Sequence, residues 1–370
     1  MEMMLLEECC EILDSMRIPI TASNRKEGIY PYYGANGIQD HVADYIFDDE
    51  LVLLAEDGGN FGSKTRPIAY RVSGKCWVNN HAHVLKPKEG LNVDFLCYSL
   101  MFYNTEGLVN GATRQKLTQT TMRKMLIPNL SIENQLYIVN QLNKLLKIIE
   151  LRKKEIQQLD NLTKARFVEL FGDVIHNDKG WMTDTVENLC KEIYGGGTPS
   201  KAHPEYYEDG DIPWVSSKDM KTDVLMDSQI KINQLGVDNS TAKMVPVNSV
   251  IMVIRSGILK HTLPVAINAV PITVNQDLKV FIPSERVLTR FLAIQFKMHE
   301  KDILTGVRAV TADNIEFNSL KQRKLIVPPI ELQQEYVKFL EQVDKSKVAV
   351  QKALDETQIL FDSLMQKYFG

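Results

Sequence analysis

Four loops concentrate the side chains that could do chemistry on a ligand. Tyr30-Pro31-Tyr32-Tyr33-Gly34-Ala35-Asn36-Gly37 interleaves aromatic rings with small residues and an amide, and Ile212-Pro213-Trp214-Val215-Ser216-Ser217-Lys218 is its counterpart. Asn110-Gly111-Ala112-Thr113-Arg114-Gln115-Lys116 gathers two cations and a side-chain amide at a glycine, and Thr305-Gly306-Val307-Arg308 matches it. Arg pairs bidentately with guanine and Asn or Gln with adenine, while Lys and the amides of glycine loops take phosphates, so these residue types suit base edges and backbones. They are also the ordinary residues of solvated turns. What favours a function is that the loops recur at matching places along the chain.

Other chemistries fail at the level of residues. Gly58-Gly59-Asn60-Phe61-Gly62-Ser63-Lys64-Thr65 nearly spells a P-loop, but Ser63 stands where the glycine before the lysine is needed, and Arg66-Pro67 opposes the helix that must follow. Gly195-Gly196-Gly197-Thr198-Pro199-Ser200-Lys201 reads as a flexible turn able to approach a phosphate. Cys76, His81 and His83 could be imagined as metal ligands, yet the matching later positions are not ligand-like as a set. There is no G-x-S-x-G, no H-E-x-x-H and no Asn- or Asp-Pro-Pro-aromatic box. A binding protein without its own catalytic constellation is expected.

The elements that must position these loops come in two copies. Ile132 to Gly172 aligns without a gap on Ile330 to Gly370, at a shift of 198 over 41 positions. Matches include Glu133/Glu331, Gln135/Gln333, Leu142/Leu340, Lys147/Lys345 and Phe171-Gly172/Phe369-Gly370. Upstream the repeat is weaker and its shift drifts: Cys10 matches Cys190, Pro31-Tyr32 matches Pro213-Trp214, Gly58 matches Gly257, Val78-Asn79 matches Val274-Asn275, and Gly111 matches Gly306. The second copy's extra length lies mainly around residues 221–242. Short β-rich runs, Leu51 to Ala55, Val250 to Ile254, Ile272 to Val274 and Val280 to Ile282, predict strands, and Val93 to Tyr103 and Leu288 to Lys301 predict helices. The globular parts are therefore α/β (mixed α+β).

Ser131 to Glu169 contains no Gly or Pro, and Leu142, Leu145, Ile149, Ile156, Leu159 and Leu170 keep a 3-then-4 spacing broken at Arg152, Thr163 and Arg166. Leu340, Val343, Val350, Leu354, Phe361, Leu364 and Tyr368 repeat it, broken at Lys347 and Thr357. Such a seam marks a coiled coil. At 1.5 Å rise the helix is about 58 Å long, more than one small domain can cover. The two helices are therefore expected to pair with each other, antiparallel, rather than each lie on its own domain. Gly172 is placed to cap the first in a left-handed conformation. The expected order is a globular part at 1–130, a helix at 131–172, a globular part at 173–329 and a helix at 330–370.

The chain has 370 residues, 44% hydrophobic and 24% charged, with a net charge of −4. That is ordinary for a folded protein of two or three units. No apolar run approaches the roughly 18–20 residues that span a bilayer, and the acidic opening lacks a signal-peptide pattern, so no membrane association and a cytoplasmic location are expected. Five cysteines without a C-x-x-C predict reduced thiols. The charge divides as −3 over 1–130, +2 over 131–172, −1 over 173–329 and −2 over 330–370. No part is strongly basic, so a nucleic-acid reading needs a few loop cations for specificity and partner subunits for much of the phosphate attraction.

Two globular parts alternating with two related helices resemble the specificity subunit of type I restriction-modification systems. The resemblance spans essentially the whole chain. Its most specific pieces are Pro328 to Val337, Ser363 to Gly370, Gly196 to Ser200 and Tyr30 to Ile38. It implies two target recognition domains, each reading half of a bipartite double-stranded DNA target, with the helices serving as spacer and as dock for two adenine methyltransferase subunits. S-adenosylmethionine would sit on those partners, separate motor-nuclease restriction subunits would cut, and this chain would be non-catalytic. The DNA contacts this reading selects are Tyr32, Asn36, Lys64, Arg114 and Lys116 in the first part, and Thr198, Lys201, Trp214, Lys218, Arg255 and Arg308 in the second. The first part is about 28 residues shorter than the second, which weakens its assignments. A coiled-coil adaptor that touches no DNA, and a stand-alone DNA methyltransferase or nuclease, are the alternatives.

Overall fold

The computed structural model describes residues 2–111, 114–306, 308–309 and 313–370. The chain forms two compact units, Met1–Ile156 with Ala349–Gly370, and Gln157–Val348. Each unit holds a mixed sheet domain and one segment from each of two 40-residue helices, Ile132–Phe171 and Ile330–Phe369.

In unit 1 a six-stranded sheet runs in the order 10–12, 82–87, 47–55, 69–78, 27–34, 37–42. Its pairings are antiparallel except that 27–34 lies parallel to 69–78, with Tyr32 opposite Trp77. Leu51 to Ala55 are all buried. Both faces of this strand are covered: Val52 and Leu54 pack with Phe95 and Leu96 of helix Val93–Met101, while Leu51 and Leu53 pack with Val72, Val78 and Val84. A strand buried on two sides has no polar face to alternate with, which is why the sequence shows a continuous apolar run.

Unit 2 repeats the plan in two sheets, ordered 190–195, 278–283, 250–253, 265–268, 224–225 and 231–232, 212–215, 273–274. The single strand Ala69–Val78 of unit 1 corresponds to two short ones here, Val265–Asn268 and Thr273–Val274. Pro271 lies in the break, where it can neither donate to a ladder nor adopt strand dihedrals freely. The parallel pairing survives, with Trp214 opposite Thr273 as Tyr32 is opposite Trp77. The added 221–242 stretch supplies strands Val224–Leu225 and Lys231–Ile232 and helix Gln234–Asp238.

The long helices pair antiparallel, as the heptad stripe predicts. In unit 2, Asp160 meets Lys347 at 2.5 Å and Arg166 meets Glu335 at 2.7 Å, so partner numbers fall as helix numbers rise. In unit 1, Leu142 and Ile149 share a core with Leu354, Phe361 and Met365. The polar breaks in the stripe face one another: Arg152 donates to the Ala353 carbonyl and the Thr357 hydroxyl, filling a seam position with a satisfied hydrogen-bond pair.

Pairing does not replace packing on the sheet domains. The starts of both helices are clamped by the same device. Gln135, fully buried, accepts from Asn92 N at 2.8 Å and donates to the carbonyls of Gly90 and Leu130; Gln333 accepts from Leu288 N at 3.0 Å and donates to Arg286 and Pro328. The Phe-Gly ends are equally anchored. Phe171 sits 4.8 Å from Phe291, and Phe369 sits 5.3 Å from Phe95, ring centre to ring centre. Gly172 follows at φ +75°, its N–H bonded to Val168 O. The expectation that these helices face each other rather than a core is thus half the arrangement: an amphipathic end lies on each domain.

Candidate functional site

The hairpin Glu27–Gly34 and Gly37–Val42 carries Tyr30 to Gly34 on a strand, not in the loop the sequence suggested; the turn is Ala35-Asn36. Alternation along that strand sends Tyr32 inward, with 1% of its surface exposed, where its hydroxyl bonds Ile20. Trp214 is buried likewise, and its Nε1 donates to Gly197 O at 2.9 Å. These two expected contact residues are corrected: they are core supports of their loops, Tyr32 lying under the Arg25 guanidinium and Trp214 packed with Ile232 and Ala242.

Beside Asn36, four chain segments of unit 1 meet. Asn36 Nδ2 donates to Gly58 O at 3.0 Å, and Gly58 N donates to Gln115 O at 3.1 Å. Asp57, just past the end of strand Phe47–Ala55, accepts from Arg114 Nη2 at 2.8 Å and contacts His81 Nδ1 at 2.6 Å. Lys116 reaches Glu56 at 3.1 Å. Gly58, at φ +62°, lets the Arg114 guanidinium lie close over its Cα, where a Cβ would stand 3.3 Å from Nε. The structure therefore brings Asn36, Arg114 and Lys116 together. Lys64 stands apart, in a cleft with Tyr98, Tyr103 and Phe369.

Under this cluster lies a buried charge network. His83 Nε2 donates to Leu117 O at 2.9 Å and its Nδ1 faces Asp14 at 2.7 Å; Asp14 also accepts from Val84 N and Gln119, and Arg17 bonds Glu56 at 2.7 Å. Burial alone would push the Asp14 carboxyl up, but His83 and these donors hold it below the usual carboxylate range. Glu56 is held low against its own burial by Arg17 and Lys116. Asp14, Glu56 and His83 lie close enough to share a cation. Their atoms are already spent, however: both His83 nitrogens are hydrogen-bonded and Arg17 covers the carboxylates. The set braces strand ends rather than offering lone pairs.

Unit 2 builds the same junction from other residues. Gly197 N donates to Val274 O at 3.0 Å, and a Cβ on Gly196 would come within 1.8 Å of that carbonyl. Close backbone approach, not turn flexibility, is what these glycines serve, so the flexible-turn expectation is corrected. Thr198 donates to Gln276, and Arg255 pairs with Asp277 at 2.6 Å. Lys201 and Lys218 are exposed and make no ion pair among the described residues. Arg308 lies in a short strand opposite Asn314, and its side chain is outside the described residues. The Gly58 stretch has no helix after it: the chain runs on into strand Ala69–Val78, as its Arg66-Pro67 predicted.

Backbone hydrogen bonds align the two junctions more closely than the sequence could. Leu117 N bonds Glu56 O at 2.7 Å, and Ile315 N bonds Ile254 O at 2.9 Å; Gly58 N bonds Gln115 O, and Ser256 N bonds Asp313 O. Gly58 thus corresponds to Ser256 rather than Gly257, and Arg308 to Asn110. Asp57, Asp277 and Gln276 were missed by sequence reasoning, and His81 was weighed only as a metal ligand. The signal that could have found them is their place immediately after a strand or after the matched Val-Asn pairs.

The profile of the family described as type I restriction modification DNA specificity domain matches residues 1–161 and again 178–357. The chain belongs to this family. Among specificity-subunit relatives, that of the type I restriction enzyme EcoR124I/EcoR124II of Escherichia coli is 28% identical over 325 residues, covering 87% of this chain and 76% of its own. The putative specificity subunit S.HindORF215P of Haemophilus influenzae is 28% identical over 362 residues, covering 92% and 86%. The fold of the S subunit from M. genitalium matches over 100% of this chain and 96% of its own, with a TM-score of 0.62 at 14% identity. A type I system structure solved for complex assembly and conformational transition matches over 100% and 97%, with a TM-score of 0.59 at 16% identity. Two family matches on one chain agree with the internal repeat. Among the described residues no helix is long and apolar enough to cross a membrane.

Proposed function

We propose that this chain is the DNA-reading subunit of a type I restriction-modification complex and carries no catalysis of its own. Each recognition domain reads one half of a bipartite double-stranded target. The paired helices act as spacer and dock two adenine methyltransferase subunits, which hold S-adenosylmethionine; motor-nuclease subunits complete the complex in the cytoplasm. The observation that carries this reading is the equivalent junction in each unit, where loops bearing Asn36, Arg114 and Lys116, or Thr198 and Arg255, converge past the ends of the central strands. These side chains offer bidentate donors and amides of the kind that read base edges. Lys64, Lys201, Lys218 and Arg308 are assigned to phosphates or flanking bases.

The test is a gel-shift titration of the chain assembled with its methyltransferase subunits, across a salt series, on the duplex whose motif methylome sequencing identifies. Specific binding that weakens as salt rises is expected, because phosphate contacts release counterions. Binding of the subunits with no DNA shift at any salt concentration would support the adaptor instead, and turnover by the isolated chain with S-adenosylmethionine, or with magnesium and DNA, would support an enzyme.

A further inference from the structure

The two junctions exchange acidic and basic residues between matching positions. By the backbone alignment, Asp57 occupies the place of Arg255: an isolated bridge joins Asp57 to Lys116 in one unit and Arg255 to Asn314 in the other. Asn79 N bonds Tyr33 O and Asn275 N bonds Val215 O, each at 3.0 Å, so His81 occupies the place of Asp277. His81 N donates to the side-chain oxygen of Asn79 at 2.8 Å, and Asp277 N donates to that of Asn275 at 3.1 Å. Acid and base have exchanged positions, yet each junction ends with an arginine held on an aspartate: Arg114 on Asp57, Arg255 on Asp277.

We propose that Asp57 and Asp277 are positioning counter-charges that compete internally with DNA for these arginines and so hold affinity down in both recognition domains. The inference rests on the DNA-reading function proposed above. The arginines are 60% and 47% exposed at their side chains and the aspartates 19% and 24%, so the cations are presented outward while their counter-charges are partly shielded. An exposed pair of this kind is worth at most about fivefold in equilibrium terms. A bidentate base contact is worth about five- to a hundredfold, so a cognate base can outcompete the carboxylate. A lone phosphate on non-cognate DNA gains little over the pair it must break. Cognate binding, which engages the arginine, therefore carries the full cost of breaking the pair and non-cognate binding at most that cost, so the carboxylates hold affinity down on both kinds of sequence.

The test uses the complex with its methyltransferase subunits, and compares wild type, Asp57→Asn, Asp277→Asn, Arg114→Ala, Arg255→Ala and the double variant D57N/R114A. Affinity for cognate and for scrambled duplex is measured by fluorescence anisotropy at several salt concentrations, with thermal melting as the folding control. Asp57→Asn is expected to raise cognate affinity about two- to fivefold and scrambled-duplex affinity by no more than that, and to steepen the salt dependence of scrambled-duplex binding by up to about one counterion. In the R114A background that gain disappears. Unchanged cognate affinity, or a gain that persists without Arg114, overturns the proposal; if Asp57→Asn melts early, Asp277→Asn tests the same competition independently in unit 2. Should Arg114→Ala and Arg255→Ala both leave cognate binding intact, the underlying DNA-contact reading fails instead.

Discussion

His299 allows the sharpest quantitative check on the fold. It joins helices Thr289–Met298 and Glu300–Thr305, is 3% exposed, and neither ring nitrogen has a hydrogen-bond partner among the described residues. Burial, reinforced by the Arg323 cation and only partly opposed by Asp302 and Asp173, pushes its pKa down to about 4. In the unfolded chain the imidazole titrates near 6.5. Between those values the unfolded state binds a proton that the folded state refuses, so stability falls as pH falls; above about 6.5 the contribution is complete. A shift of about 2.5 units corresponds to about 3 kcal/mol in full, and to about 2.5 kcal/mol by pH 4.5. Urea unfolding of wild type and His299→Leu at pH 7.5 and 4.5 measures it. Trp181 and Trp214 report unit 2, and Trp77 reports unit 1. The variant is expected to lose about 2.5 kcal/mol less than wild type in the unit 2 transition over that range, with the Trp77 transition changing equally in both proteins. Equal losses in unit 2 would refute the argument that this ring is held neutral.

The Gln333 clamp bonds three backbone groups at the start of its helix, so Gln333→Ala should cost about 3 kcal/mol in unit 2, and Gln135→Ala a similar amount in unit 1, read from the same urea curves. Arg152→Met replaces a seam hydrogen-bond pair with an apolar side chain and should leave stability unchanged or raise it by about 1 kcal/mol, whereas Thr357→Val, which strips a hydrogen-bond partner from Arg152, should lower it. Arg114→Ala should cost about 1–3 kcal/mol of binding and relax one half-site alone; methylome sequencing with an unchanged motif and unchanged occupancy would sink that assignment.

Much of the architecture was legible in the residues themselves. Apolar periodicity and the absence of Gly and Pro between Ser131 and Glu169 marked helices whose lengths and stops the structure reproduces, because local propensity and a buried stripe both depend on neighbours three and four residues away. Leu51 to Ala55 announced a strand for the same kind of reason, and its burial on both faces came from the structure. Tyr32 and Trp214 were misjudged because a ring's exposure depends on what the fold brings over it: the Arg25 guanidinium lies 4.2 Å from the Tyr32 ring centre, and Ile232 and Ala242 pack with Trp214.

By itself the sequence determined the duplication, the paired helices and the mixed α/β character. These follow from composition and spacing along one chain. Tertiary structure alone decided that Arg114 rests on Asp57 and Arg255 on Asp277, that Gln135 and Gln333 serve one clamp twice, and that Arg152 meets Thr357. Charge pairing acts through space over a few ångströms, and no periodicity along the chain records which distant carboxylate a folded sheet will bring beside a given cation.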